Sequence, residues 1–156
     1  MKNAAGMSES LPETRGDVAV HGFFQRGVTT IFDITICDTD CLTYRNHSPE
    51  SVLAGREKVK KRKHLAACLE RRRTFTPLVF SVDGLRGSEA TAASKQLAAK
   101  LAGKWKRAYS DVCGFVRSRL SIALVRTTSL CLRGARDPTA RVTRAYWDDG
   151  ARLAFY

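Results

Sequence analysis

The chain has 156 residues, 44% hydrophobic and 27% charged, which suffices for one domain with a real core and argues against wholesale disorder. No apolar run reaches the length of a membrane-spanning helix. The net charge is +12 but unevenly spread, with four basic and seven acidic groups in residues 1–54, nine and two in 55–73, and fourteen and six in 74–156. A ribosomal or histone-like binder has no use for the acidic part, whereas an enzyme acting on a polyanion through a metal needs both.

Residues 1–14 lack periodicity and read as a disordered lead-in. Two runs rich in β-branched and aromatic residues follow, Asp17 to Phe24 and Thr29 to Cys37, around the turn-like Gln25-Arg26-Gly27. They predict a β-hairpin. Alternation puts Phe32, Ile34 and Ile36 on one face of the second strand and Asp33, Thr35 and Cys37 on the other. Burying Asp33 is costly unless a cation meets it, and Asp17 can lie opposite or diagonal to it across the hairpin. Two converging carboxylates suit a hard divalent cation such as Mg2+. The competing reading makes Asp17 a turn cap and pairs Asp33 with a basic residue elsewhere.

Ser48-Pro49-Glu50 is a helix start, with serine as N-cap and proline at the first helical position. The helix should run from Pro49 to about Arg73, with Val52, Val59 and Ala66 at heptad spacing and Leu69 nearby as its buried seam. Arg56, Lys60 and Lys63 lie along one edge of that seam, while Lys58, Lys61 and Arg62 spread over the rest. With Arg71, Arg72 and Arg73 they form the densest positive stretch of the chain. Such a run reads as a solvated face, as a nuclear-import patch (Lys60-Lys61-Arg62-Lys63) or as a phosphate-binding surface.

Phe75 to Val82 reads as a buried third strand. Ser88 is then expected to cap a helix from Glu89 to about Lys106, with Ala93, Leu97, Leu101 and Trp105 as its stripe. The last helix, from Ser110-Asp111 to about Leu132, has an apolar face wide enough to make it the most buried of the three; a strand over Ile122–Leu132 is the competing reading. After Gly134 the chain turns basic, and Tyr146, Trp147 and Leu153 to Phe155 are expected to pack the 134–156 tail onto a domain spanning 15–133. The order strand–strand–helix–strand–helix–helix predicts an α/β class, a small mixed sheet with flanking helices.

Neither a GxGxxG nor a GxxxxGK[ST] loop occurs, which removes the nucleotide-dependent classes that use them, and no Gly-x-Ser-x-Gly elbow is present. Five scattered cysteines, an odd number, read as reduced thiols of a nuclear or cytosolic protein. Cys37, Cys41 and His47 supply only three ligands at an unusual spacing for zinc.

The stretches RGDVAV, FDITICDTD, the long EKVKKRKHLAACLERRRTFTPLVFSVDG block, RSRLSIALVR and CLRGARDPT are similar to the region downstream of the polymerase in reverse-transcriptase-like retroelement proteins. The likeness extends from about Arg15 to Tyr156. An aspartate entering one strand, a second inside the next and a lysine-rich helix after them resemble the restriction-endonuclease-like PD-(D/E)xK fold. The resemblance implies an endonuclease using Mg2+ or Mn2+ that nicks target DNA, so that the exposed 3′ end primes reverse transcription. It implies Asp17 and Asp33 as metal ligands, and DNA, with RNA as a second candidate, as partner in the nucleus. An upstream polymerase module is expected outside this chain.

The family's catalytic lysine normally stands two residues after the second acid, where this chain has Thr35. In related nucleases the following helix supplies it, which makes Lys60 and Lys63 the catalytic candidates, with Lys63 favoured because Lys63-His64 stands where relatives tend to have Lys-Tyr. Arg56, Lys58, Lys60, Lys61, Arg62, Lys63, Arg71, Arg72 and Arg73 would bind flanking phosphates. A catalytically inactive nucleic-acid-binding remnant of the same fold is the alternative, and an unrelated basic interaction protein is a third reading.

Overall fold

A computed structural model describes residues 16–134 and is α/β: a three-stranded mixed sheet with three helices. The expectations for the lead-in and the 135–156 tail lie outside the described residues. The chain divides into two compact units, residues 1–117 and 118–156, and the sheet lies in the first.

Strand β1 (Val18–His21) pairs antiparallel with β2 (Thr29–Cys37) in the register Val18 to Phe32 through His21 to Thr29. β1 is shorter than predicted because the connecting turn is wider. Gly22 and Gly27 take φ of 70° and 80°, a region costly for residues with a Cβ, and the Gly22 N–H closes the turn on the Val28 carbonyl at 2.9 Å. Phe23 thereby leaves the strand and folds edge-on against Phe32, ring centroids 5.0 Å apart.

Helix α1 (Pro49–Glu70) crosses over to β3 (Thr74–Ser81), which pairs parallel with β2 in the register Thr30 to Thr74 through Cys37 to Ser81. Ser48 caps α1 as expected, its Oγ accepting from the Ser51 N–H at 3.2 Å. Alternation in both strands separates two faces. Ile31, Cys37, Phe75 and Val79 pack with Val52, Leu53 and Cys68 of α1. On the other face, Phe32 and Leu78 pack with Val20, Phe23 and, from α2 (Ser88–Trp105), Ala93 and Leu97. The sheet is covered on both sides, which is why β2 and β3 read as near-continuous apolar runs.

Two expectations about the helices fail. The seam of α1 is not Val52–Val59–Ala66: Val59, Ala66 and Leu69 are exposed, and the inward stripe runs Leu53, Glu57, Lys60, His64 and Cys68. Two charged residues hold core-facing positions, so a pattern built on apolar spacing was drawn to the wrong side. Helix α3 (Tyr109–Gly134) is not the most buried; Val112, Val116 and Leu124 are buried, but Phe115, Ile122 and Leu130 are exposed. It is helical throughout Ile122–Leu132, so the strand reading is excluded.

The start of α2 also differs from expectation. Gly87 is the N-cap, and Ser88 is the first helical residue. The missing cap comes from α1. Glu57, buried at 6% exposure, accepts from Ser88 Oγ at 2.8 Å and from the Glu89 N–H at 3.0 Å. A carboxylate at a helix N-terminus satisfies orphan donors and meets the positive end of the helix dipole. A Cβ at Gly87 would meet the Glu57 carboxylate, so a larger residue there has to displace the group that caps α2.

Candidate nucleic-acid and metal site

Asp33 occupies the middle of the central strand, on the face that α1 covers. It is 8% exposed, and Lys60 Nζ lies 2.8 Å from its Oδ2. That oxygen has no partner in true hydrogen-bond geometry, so the contact is an ion pair rather than a directed bond. The lysine side chain is 31% exposed and the Asp33 side chain 11%. Here the cation that a buried aspartate demands comes from the crossover helix, and the pairing expected of a purely structural Asp33 is present.

Asp17 enters β1 one residue before the Val18–Phe32 pair, so the register extended by one sets it opposite Asp33. Its backbone N–H donates to the Phe32 carbonyl at 2.9 Å, and its Oδ2 accepts from the Ile34 N–H at 2.7 Å. The Asp17 carboxylate therefore ends the β1–β2 ladder by taking a β2 amide. Thr35, on Asp33's face of β2, carries a buried Oγ1 that, like Asp33 Oδ2, has no hydrogen-bond partner. A carboxylate pair set opposite across the hairpin, one member of it beside an unpartnered hydroxyl, is the oxygen-donor chemistry of Mg2+, which takes its remaining ligands from water and phosphate. Among the described residues no group of three or more His, Cys, Asp or Glu could hold a metal. The Cys37, Cys41 and His47 combination is thus not a metal site; all five cysteines are free.

The basic residues divide into two sets. Arg56 donates to the Tyr44 hydroxyl and lies 5.6 Å from the centre of that ring, Lys60 is held by Asp33, and Lys61 is ion-paired to Glu89. Lys58, Arg62 and Lys63 face solvent, as do Arg71, Arg72 and Arg73 in the turn after α1. Arg72 adopts a left-handed φ of 53°, a strained choice for a residue with a side chain. Lys63 is therefore a solvent-side lysine, and of the two candidates Lys60 is the one beside Asp33. The Glu57 cap was missed by sequence reasoning; its signal was an acidic residue at an inward position of a basic helix.

Burial pushes the thiol pKa of Cys37 and of Cys68 up. The charges of Arg56 beside Cys37, and of Arg73 and Arg71 beside Cys68, oppose the shift without cancelling it. Cys37 donates its S–H to the Phe80 carbonyl at 3.6 Å, as expected of a packed, neutral thiol. Among the described residues no helix is long and apolar enough to cross a membrane. Comparison with protein-family models, with curated proteins and with solved structures gives no match.

Proposed function

We propose that the sheet and α1 form a divalent-metal-dependent DNA endonuclease domain of a retroelement reverse transcriptase protein, with a restriction-endonuclease-like arrangement of strands and crossover helix. The observation that carries this reading is the Asp33–Lys60 pair at 2.8 Å, which brings a lysine to the second acid although the strand offers Thr35. Asp17 and Asp33 would hold Mg2+ or Mn2+. The bound ion would supply the positive charge that activates water and offsets charge on the reacting phosphate.

The chain's own residues account for the remaining parts. Lys60 pairs with Asp33 at rest, and the partial exposure of its side chain lets the ammonium reach a phosphate oxygen, where it stabilises developing negative charge. Lys58, Arg62, Lys63 and Arg71 to Arg73 bind flanking phosphates and position the duplex without reading its sequence. Nuclear import fits the same basic run.

The inactive nucleic-acid-binding remnant has its own support: Asp17 is exposed and already engaged with the Ile34 N–H, and Thr35 stands in the strand-lysine position. Nicking of supercoiled plasmid with Mg2+ or Mn2+ separates the two readings. The endonuclease reading expects relaxed circles that disappear on adding EDTA and in Asp33→Asn. Salt-dependent plasmid binding without nicks in either metal would leave the remnant reading in place.

A further inference from the structure

The corner between α2 and α3 reads Lys104-Trp105-Lys106-Arg107-Ala108-Tyr109, two aromatics interleaved with three cations. Trp105 is 42% exposed, Tyr109 47% and, six residues further along α3, Phe115 49%. Trp105 and Phe115 meet edge to face with ring centroids 5.4 Å apart, which fixes their orientation while leaving ring surface in water. They border an open cleft of about 270 Å³ whose other walls are Arg107, Asp111 and Val112. Lys106 caps α2 with a left-handed φ of 53°, a position where glycine is the unstrained choice. Large apolar rings are costly to leave in water, and a core role accounts for only part of each.

We infer that this corner is a stacking platform for single-stranded nucleic acid, separate from the Asp17–Asp33 site. Aromatic faces accept unpaired bases of any sequence, and Lys104, Lys106 and Arg107 supply the charge that tracks their phosphates. The choice of occupant rests on charge complementarity: the rings are flanked by three cations and one acid, Asp111, which favours a polyanion over an apolar helix or a second copy of this basic chain. Bases in a duplex keep their faces stacked on one another, so the platform selects unpaired strands. The inference does not depend on cleavage at Asp33.

The test uses the full chain with Trp147→Phe, which leaves Trp105 as the single tryptophan. Labelled oligothymidylate and oligouridylate of about 12 nucleotides, within the usual range of single-strand sites, are titrated in EDTA so that no cleavage enters. Binding is followed by anisotropy and by Trp105 emission. Quenching that tracks binding is expected, with DNA or RNA assigned by which oligomer binds more tightly. Trp105→Leu and Phe115→Leu should each weaken single-strand binding about tenfold and leave duplex binding within about twofold. Should the leucine variants fail to fold, Lys104, Lys106 and Arg107 changed together to Gln provide the second arm, lowering the single-strand salt slope by about 2 while keeping the quench at saturation. Saturable oligomer binding with unchanged Trp105 emission would overturn the platform, as would equal losses of single-strand and duplex affinity in folded leucine variants.

Discussion

Lys60 Nζ lies 2.8 Å from Asp33 Oδ2 although the residues are 27 positions apart and sit on different elements. The pair ties the crossover helix to the middle of the central strand. Removing the lysine would leave a buried carboxylate without its cation. A fully buried pair costs about 3–5 kcal/mol when halved, and the partial exposure of Lys60 lowers the expected loss for Lys60→Met to about 1–3 kcal/mol. Lys63→Met, on the solvent side, should stay within about 0.5 kcal/mol. Urea melts of both variants check this, and equal midpoints would show that the pair contributes nothing to the fold.

Glu57 joins α1 to the start of α2, and its loss removes two hydrogen bonds at once. Glu57→Ala should destabilise by about 2–3 kcal/mol, at the upper range for a lost cap because the site is buried. Gly87→Ala should do comparable damage by pushing the carboxylate aside. Additivity of the two in a double variant would argue against this account, since both act on one cap.

Cys37 and Cys68 are neutral thiols held by burial, with folded-state pKa above the ordinary thiol value. A raised folded-state pKa means their contribution to stability is complete below the unfolded thiol's pKa and fades as pH climbs through the folded one. Alkaline titration should therefore weaken the fold from about pH 9 upward, less steeply in Cys68→Ala after allowance for its lower baseline stability. Thiol labelling read by mass spectrometry should reach the exposed Cys131 first and Cys37 and Cys68 only on unfolding. Rapid modification of Cys68 at neutral pH would contradict its burial.

Duplex affinity should depend on the unpaired basic residues rather than on the total. With Lys58, Arg62, Lys63, Arg71, Arg72 and Arg73 on phosphates, the log–log salt slope should be about −5. Lys63→Gln should flatten it by about 1, while Lys61→Gln, whose side chain is paired to Glu89, should change it little. Equal effects at both positions would mean that the helix pairs rearrange on binding.

The strands were legible because alternation and β-branched content are local properties; β2 matches its predicted limits from Thr29 to Cys37. Ser48-Pro49 was legible for the same reason, a cap being written within four residues. The seam of α1 was not, since Glu57 and Lys60 hold inward positions that hydrophobic spacing assigns to apolar side chains. Their partners, Ser88, Glu89 and Asp33, are distant in sequence, and no local pattern announces such pairs. α3 was overestimated because apolar content measures what a helix offers, not what covers it. The sequence did state the need at Asp33: an acid between Phe32 and Ile34 requires a cation, and only the fold chooses which one.

Thr35 offers the most direct test of whether Lys60 is the displaced strand lysine. The two positions share the space between β2 and α1: Thr35 stands two residues from Asp33 on the same face, and its Oγ1 is buried without a partner. If the reading is right, Lys60→Met abolishes metal-dependent nicking while duplex affinity falls by no more than one phosphate contact. Thr35→Lys alone should add little, because Asp33 already has its cation. The double variant Lys60→Met with Thr35→Lys should recover nicking, the new ammonium meeting Asp33 from the strand while the shorter neutral methionine leaves it room. Urea melts run alongside would show whether Asp33 has regained its partner. A double variant that regains stability but not nicking would assign Lys60 a structural role only, and nicking that survives Lys60→Met would remove it from the chemistry.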